Sequence, residues 1–129
     1  MTFSIKLGVK FINISYLFLV GLGGALGAIA RYGLNQLFLT QFGSSLLPTF
    51  VANVSGSFFL GLLTGVLYTH ESLPMETRLF LSVGLLGSFT TFSTLSVATI
   101  QLLQKGDLYN AGLNIGLSII IGLTAATLG

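Results

Sequence analysis

Apolar residues run along the chain in four long blocks separated by short polar stretches. The first block extends from about Phe11 to Ala30, with an amphipathic continuation through Phe38, and Lys6 and Lys10 precede it. The second opens at Pro48, which suits a first helical turn because its missing N–H has no partner to lose there, and lasts to about Tyr68. "HESLPMETR", His70 to Arg78, is the most polar loop. A third block covers about Leu79 to Leu103, and "QKGD", Gln104 to Asp107, turns into the fourth, about Leu108 to Leu128. A hydrocarbon core of about 30 Å takes roughly 20 apolar residues per helix. The pattern therefore predicts an all-α membrane protein, a single integral membrane domain over residues 1–129 with helices at about 11–38, 48–68, 75–103 and 108–128.

Polarity inside these blocks is the informative exception, because an unsatisfied polar group in hydrocarbon costs several kcal/mol and needs a helix partner, water or a ligand. Asn53 and Ser57 are four apart, as are Asn114 and Ser118, so each pair forms one stripe along its helix. Within the third block, "GSFTTFST", Gly87 to Thr94, gathers a glycine and five hydroxyls. Glycine costs a helix about 1 kcal/mol and hydroxyls compete for its backbone bonds, so an unwound or kinked turn is expected near mid-membrane. A break at that depth survives only inside protein or beside a water-filled cavity, and its freed carbonyls suit a cation. The plainer alternative is a kink whose carbonyls are satisfied by its own side chains. Phe89 and Phe92 interleave with the hydroxyls, and a ring edge attracts an anion weakly. Arg31, at the far end of the first helix, either draws anions into a vestibule or snorkels to the interface.

Composition sharpens this picture. The 129 residues are 53% hydrophobic and 6% charged, with a mean hydropathy of +0.95, outside the range of soluble domains. The formal charge of +2 is too small and scattered to suggest nucleic-acid binding. Cysteine is absent, which excludes disulfides and thiolate chemistry. Glu71, Glu76 and Asp107 fall in loops, whereas a proton-coupled cation exporter needs an intramembrane carboxylate; uncharged donors point to an anion or a small neutral solute. No nucleophile, base and orienting acid assemble within the blocks, and His70 is alone in its loop.

Glycine pairs recur at helix-packing spacing, Gly23 with Gly27, Gly61 with Gly65 and Gly112 with Gly116. The alanines of "AIA", Ala28 to Ala30, resemble a signal-peptidase site, but the "GLGGALG" run before them suits helix packing. Lys6, Lys10 and Arg78 fall on one side of the membrane, Arg31 and Lys105 on the other. So small a bias leaves orientation open and suggests insertion both ways up followed by antiparallel pairing.

The ordered set "GGALGAIARY", "NVSGSFFLG", "GLLGSFTTFSTLS" and "NIGLSIIIGL" resembles the Fluc (CrcB) family of bacterial fluoride channels over nearly the whole chain. The resemblance implies an antiparallel, dual-topology homodimer in the bacterial inner membrane, with two pores that let fluoride leave the cytoplasm. It implies a structural sodium ion at the dimer interface, with Gly87 and Thr90 at the positions that supply carbonyls. The fluoride pore falls on Asn53, Phe92, Ser93, Thr94 and Ser118. Leu95 stands where the family usually has a second phenylalanine, Ala98 where a glutamate often follows, and Asn114 and Gly122 where some members have a tyrosine and a second serine. Either one ring per pore suffices, or the chain pairs with a sister subunit that supplies the missing features. A small multidrug-type exporter is the competing class, but the glutamate expected in its first helix is absent. A purely structural membrane subunit would leave the donor stripes without a task.

Overall fold

The computed structural model describes residues 13–44, 46–69 and 73–129. Lys6, Lys10, the expected helix start at Phe11, and the loop residues His70 and Glu71 lie outside the described residues. The first helix, α1 (Ile14–Phe42), is capped by Asn13, whose side-chain oxygen accepts from the Ser15 N–H at 2.9 Å. It runs on past the expected end near 38 and closes at Gly43, where φ is 62°. That left-handed conformation suits glycine and ends the helix.

The second helix, α2 (Leu46–Thr69), starts ahead of Pro48. The Ser44 hydroxyl accepts from the N–H groups of Leu46 and Leu47 at 3.3 and 3.4 Å, so Pro48 still lies in the first turn, where no intrahelical donor is lost.

The third crossing, Met75–Gln104, is composite. It comprises α3 (Met75–Arg78), a π-helical stretch (Leu79–Leu86), the single turn α4 (Gly87–Phe89) and α5 (Phe92–Gln104). Between α4 and α5 the backbone is extended, with φ/ψ of −81°/153° at Thr90 and −153°/117° at Thr91. The expected break is therefore present. The π-helical stretch before it carries no proline or charge that would announce it.

The last helix, α6 (Leu108–Leu128), is capped by Asp107, whose carboxylate accepts from the backbone and side-chain N–H groups of Asn110 at 3.1 and 2.7 Å. These side-chain bonds hold Asp107 below the usual carboxylate pKa, the bond from the Asn110 side chain contributing most.

Each half of the third crossing has a different principal partner. The π-helical stretch and α4 pack on α1, while α5 packs chiefly on α6, and α2 also lies along α6. Glycines set the close approaches. A Cβ added at Gly27 would lie 3.0 Å from the Leu85 carbonyl carbon and 3.1 Å from the Phe89 nitrogen, and one at Gly84 would lie 2.8 Å from the Val20 oxygen. Gly61 is equally tight against Ala126. Gly112 and Gly116 have the same spacing but meet nothing within 4 Å among the described residues, so that pair packs against none of the other helices. Ala28 to Ala30 lie in mid-helix, directly after Gly27 of the buried pair Gly23 and Gly27.

The distribution of apolar residues is the reverse of a soluble domain's. Ala52, Leu95 and Ala111 are buried, whereas large side chains such as Phe18, Phe59, Ile100 and Ile120 are exposed along the outer faces. Four helices are long and apolar enough to cross a membrane, and hydrocarbon is the solvent in which such a surface is stable.

Candidate functional site

The break is built from backbone that has lost its own ladder. Extended backbone at Thr90 and Thr91 interrupts the i→i+4 bonds, and a side chain from another helix replaces part of what is lost. Asn53, in the middle of α2, pairs reciprocally with Thr91: its Nδ2 donates to the Thr91 oxygen at 3.1 Å and its Oδ1 accepts the Thr91 N–H at 2.7 Å. An amide does this because it carries a donor and an acceptor in one plane, as a peptide unit does. One Nδ2 proton remains for another acceptor.

The two ends created by the break have opposite polarity. On the C-terminal side of α4, the Thr90 N–H and hydroxyl both donate to the Leu86 oxygen, and Arg31 Nε donates to the Ser88 oxygen at 3.2 Å. Among the described residues no donor reaches the carbonyl oxygens of Gly87, Phe89 or Thr90. Those oxygens, at the negative end of a helix, fit a hard cation. On the other side α5 begins, with Thr91 as its cap: the hydroxyl accepts the Thr94 N–H at 3.3 Å and shares hydrogen bonds with the Ser93 and Thr94 hydroxyls at 3.0 and 3.2 Å. The N–H groups of Phe92 and Ser93 have no partner among the described residues, as expected of a helix N-terminus, which favours negative charge.

Two clefts border this region, and a third continues from them. One of about 290 Å³ is lined by Arg31, Asn35, Thr49, Thr91 and Thr94, with Ala28, Tyr32 and Pro48. A second, about 240 Å³, brings Asn53, Ser57, Thr90, Thr91 and Phe92 together with Gly56 and Leu60. A third, about 390 Å³, continues from Ser57 and Leu60 to Gly61, Thr64 and Ala126. Thr91 is common to the first two, and Ser57 and Leu60 to the last two, so the clefts follow one another along α2.

The expected site residues divide accordingly. Asn53, Thr90 and Phe92 share a cleft; Arg31 and Thr94 share the next; Ser93 joins through the Thr91 hydroxyl. Arg31 is half-buried, with its Nε held against the break by the Ser88 oxygen. Phe92 is 78% exposed, whereas Leu95 is 6% exposed and belongs to the core. Asn114 lies apart: its Nδ2 donates to the Thr99 hydroxyl at 3.0 Å, tying α6 to α5. Ser118 is buried and its hydroxyl has no partner among the described residues. Gly87 is exposed and helical.

Reading the sequence missed Asn35, Thr49 and the central place of Thr91. Periodicity held a signal for two of them, since Asn35 follows Arg31 by one turn and Thr49 precedes Asn53 by one turn, making Thr49, Asn53 and Ser57 a single stripe.

The model of the family described as "CrcB-like protein, Camphor Resistance (CrcB)" matches residues 18–129. A protein of Idiomarina loihiensis named fluoride-specific ion channel FluC is 46% identical over 113 residues, covering 85% of each chain. Proteins of the same name from Hydrogenovibrio crunogenus and Thermus thermophilus are 42% and 47% identical, covering 91% and 86% of this chain and 89% of each relative. With four spanning helices and bacterial relatives at this similarity, it is a multi-pass bacterial membrane protein. A family match spanning all four crossings and the broken turn places the chain in the CrcB-like family.

Proposed function

We propose that the chain is a passive fluoride channel, an ion channel rather than an enzyme, working as an antiparallel, dual-topology homodimer with two pores. One observation carries the reading: uncharged donors line consecutive clefts at the broken third crossing, while Glu76 and Asp107 stand only at the ends of crossings. Fluoride is small and strongly hydrated, so a pore must replace its water with hydrogen-bond donors and still release it. Asn53 offers its remaining Nδ2 proton, Ser93 or Thr94 whichever hydroxyl proton is not donated to Thr91, and Ser118 a buried hydroxyl with no partner among the described residues. Phe92 adds a ring edge. Arg31 supplies positive charge to the outer cleft.

Asn114 donates one Nδ2 proton to Thr99 and lines a separate cleft with Phe50 and Leu113, so in this reading it orients α6 rather than meeting the ion. Leu95 lies in the core, away from the cleft that holds Phe92; the lost second ring therefore does not open a gap beside Phe92, which favours the homodimer over pairing with a sister subunit.

The free carbonyls of Gly87 and Thr90 fit a sodium ion shared between the two copies. When bound, sodium supplies fixed positive charge beside the anion path and ties the protomers together.

Purified protein in liposomes tests the function. Fluoride efflux is expected to be fast and chloride efflux far slower; equal rates, or none, would overturn it. Asn53→Asp sets a carboxylate against the Thr91 carbonyl and the passing anion. Like charges brought together cost several kcal/mol, so fluoride efflux should fall by about a hundredfold or more. Unchanged efflux would place the pore elsewhere.

A further inference from the structure

Ser57 stands one helical turn beyond Asn53 on the same face of α2. Its surroundings differ from those of nearby hydroxyls. Ser55 donates to the Val51 oxygen at 2.6 Å and Thr64 to the Leu60 oxygen at 2.7 Å. A hydroxyl has one proton, so these two have none left for an anion. Ser57 makes no hydrogen bond among the described residues and keeps its proton. It is also the polar residue common to two consecutive clefts, one holding Asn53 and Phe92, the other leading to Thr64 and Ala126. Across from it, α6 offers Gly122, where an added Cβ would lie 3.9 Å from Ser57 Oγ. The absent side chain leaves room beside the hydroxyl, and no other group competes for it.

We propose that Ser57 is a further anion-binding residue, receiving a small hard anion from the Asn53–Phe92 cleft and passing it into the cleft toward Thr64. This rests on the channel reading above. Thr64 takes no part as a donor, because its proton is bound to its own helix; beyond Ser57 the ion regains water.

The test is fluoride efflux from liposomes with three proteins: the unaltered chain, Ser57→Ala, and Ser57→Ala combined with Gly122→Ser. Ser57→Ala should lower efflux roughly tenfold, the factor that corresponds to about 1.4 kcal/mol. Its thermal midpoint in detergent should stay unchanged, since no protein hydrogen bond is lost. Gly122→Ser returns a hydroxyl to the same space from the opposite helix and should restore much of the efflux. If the unaltered chain conducts fluoride and Ser57→Ala conducts equally well, the Ser57 assignment fails while the channel stands. A drop in efflux that comes with a lower thermal midpoint and no rescue would make Ser57 a packing residue and also overturn the assignment. No efflux from the unaltered chain would remove the channel reading itself.

Discussion

A peptide unit that loses its helical partner inside a membrane has no water to turn to, and at the break a single side chain answers for it. Asn53 matches the donor and acceptor of Thr91, a task suited to an amide, whose donor and acceptor are separate atoms in one plane. The sequence made Asn53 a candidate through its stripe with Ser57; that it is bonded to Thr91 was not legible, because the partner lies 38 positions away. At the membrane edge a second asparagine acts locally. Asn110 holds Asp107 below its ordinary pKa, chiefly through its side-chain bond. A depressed folded pKa means the cap's contribution is complete above the ordinary carboxylate pKa and is lost as pH falls through the lowered one. Asn110→Ala should therefore move the Asp107 titration up toward the ordinary value, followed by carboxyl-carbon NMR in detergent. An unmoved midpoint would remove the side-chain bond as the main cause.

Between elements, glycine spacing shows which residues share a face but not what the face meets. Gly23 with Gly27 and Gly112 with Gly116 read identically in the sequence. Only the first pair is buried, against the π-helical stretch and α4. Gly27→Ala would force a methyl group onto the Leu85 backbone and should cost about 1–3 kcal/mol, as overpacking usually does. Gly33, on the same helix, meets nothing within 4 Å, so Gly33→Ala should be tolerated. Thermal midpoints in detergent check the pair, and equal midpoints would contradict the packing described. The broken crossing follows the same logic: its halves are held by different helices, so unwinding at Thr90 and Thr91 leaves both anchored.

At the scale of the molecule, a single chain leaves the proposed path uncovered. Few side chains are buried, Phe92 is largely exposed, and the clefts along α2 are open. In the dimer proposed above, a second copy lies across this face, closing the path and bringing the Gly87 and Thr90 carbonyls of both copies together. The antiparallel pairing proposed above requires insertion both ways up, and the few scattered basic residues of the sequence leave orientation open. A reporter fused to the C-terminus should then be found on both membrane faces in comparable amounts. Confinement to one face would exclude antiparallel pairing of this chain with itself.

The sequence alone determined the number of crossings, the all-helical class and the broken turn, because these depend on local quantities: runs of apolar residues as long as the bilayer is thick, and hydroxyls beside glycine that weaken a helix where they stand. It also placed the donors on shared faces through the 3.6-residue period. Tertiary structure decided what each face meets. Arg31 bonded to Ser88, Asn114 tied to Thr99, Leu95 in the core and Ser118 left without a partner among the described residues all depend on residues distant in sequence, and no period along one helix records the rotation of its neighbour.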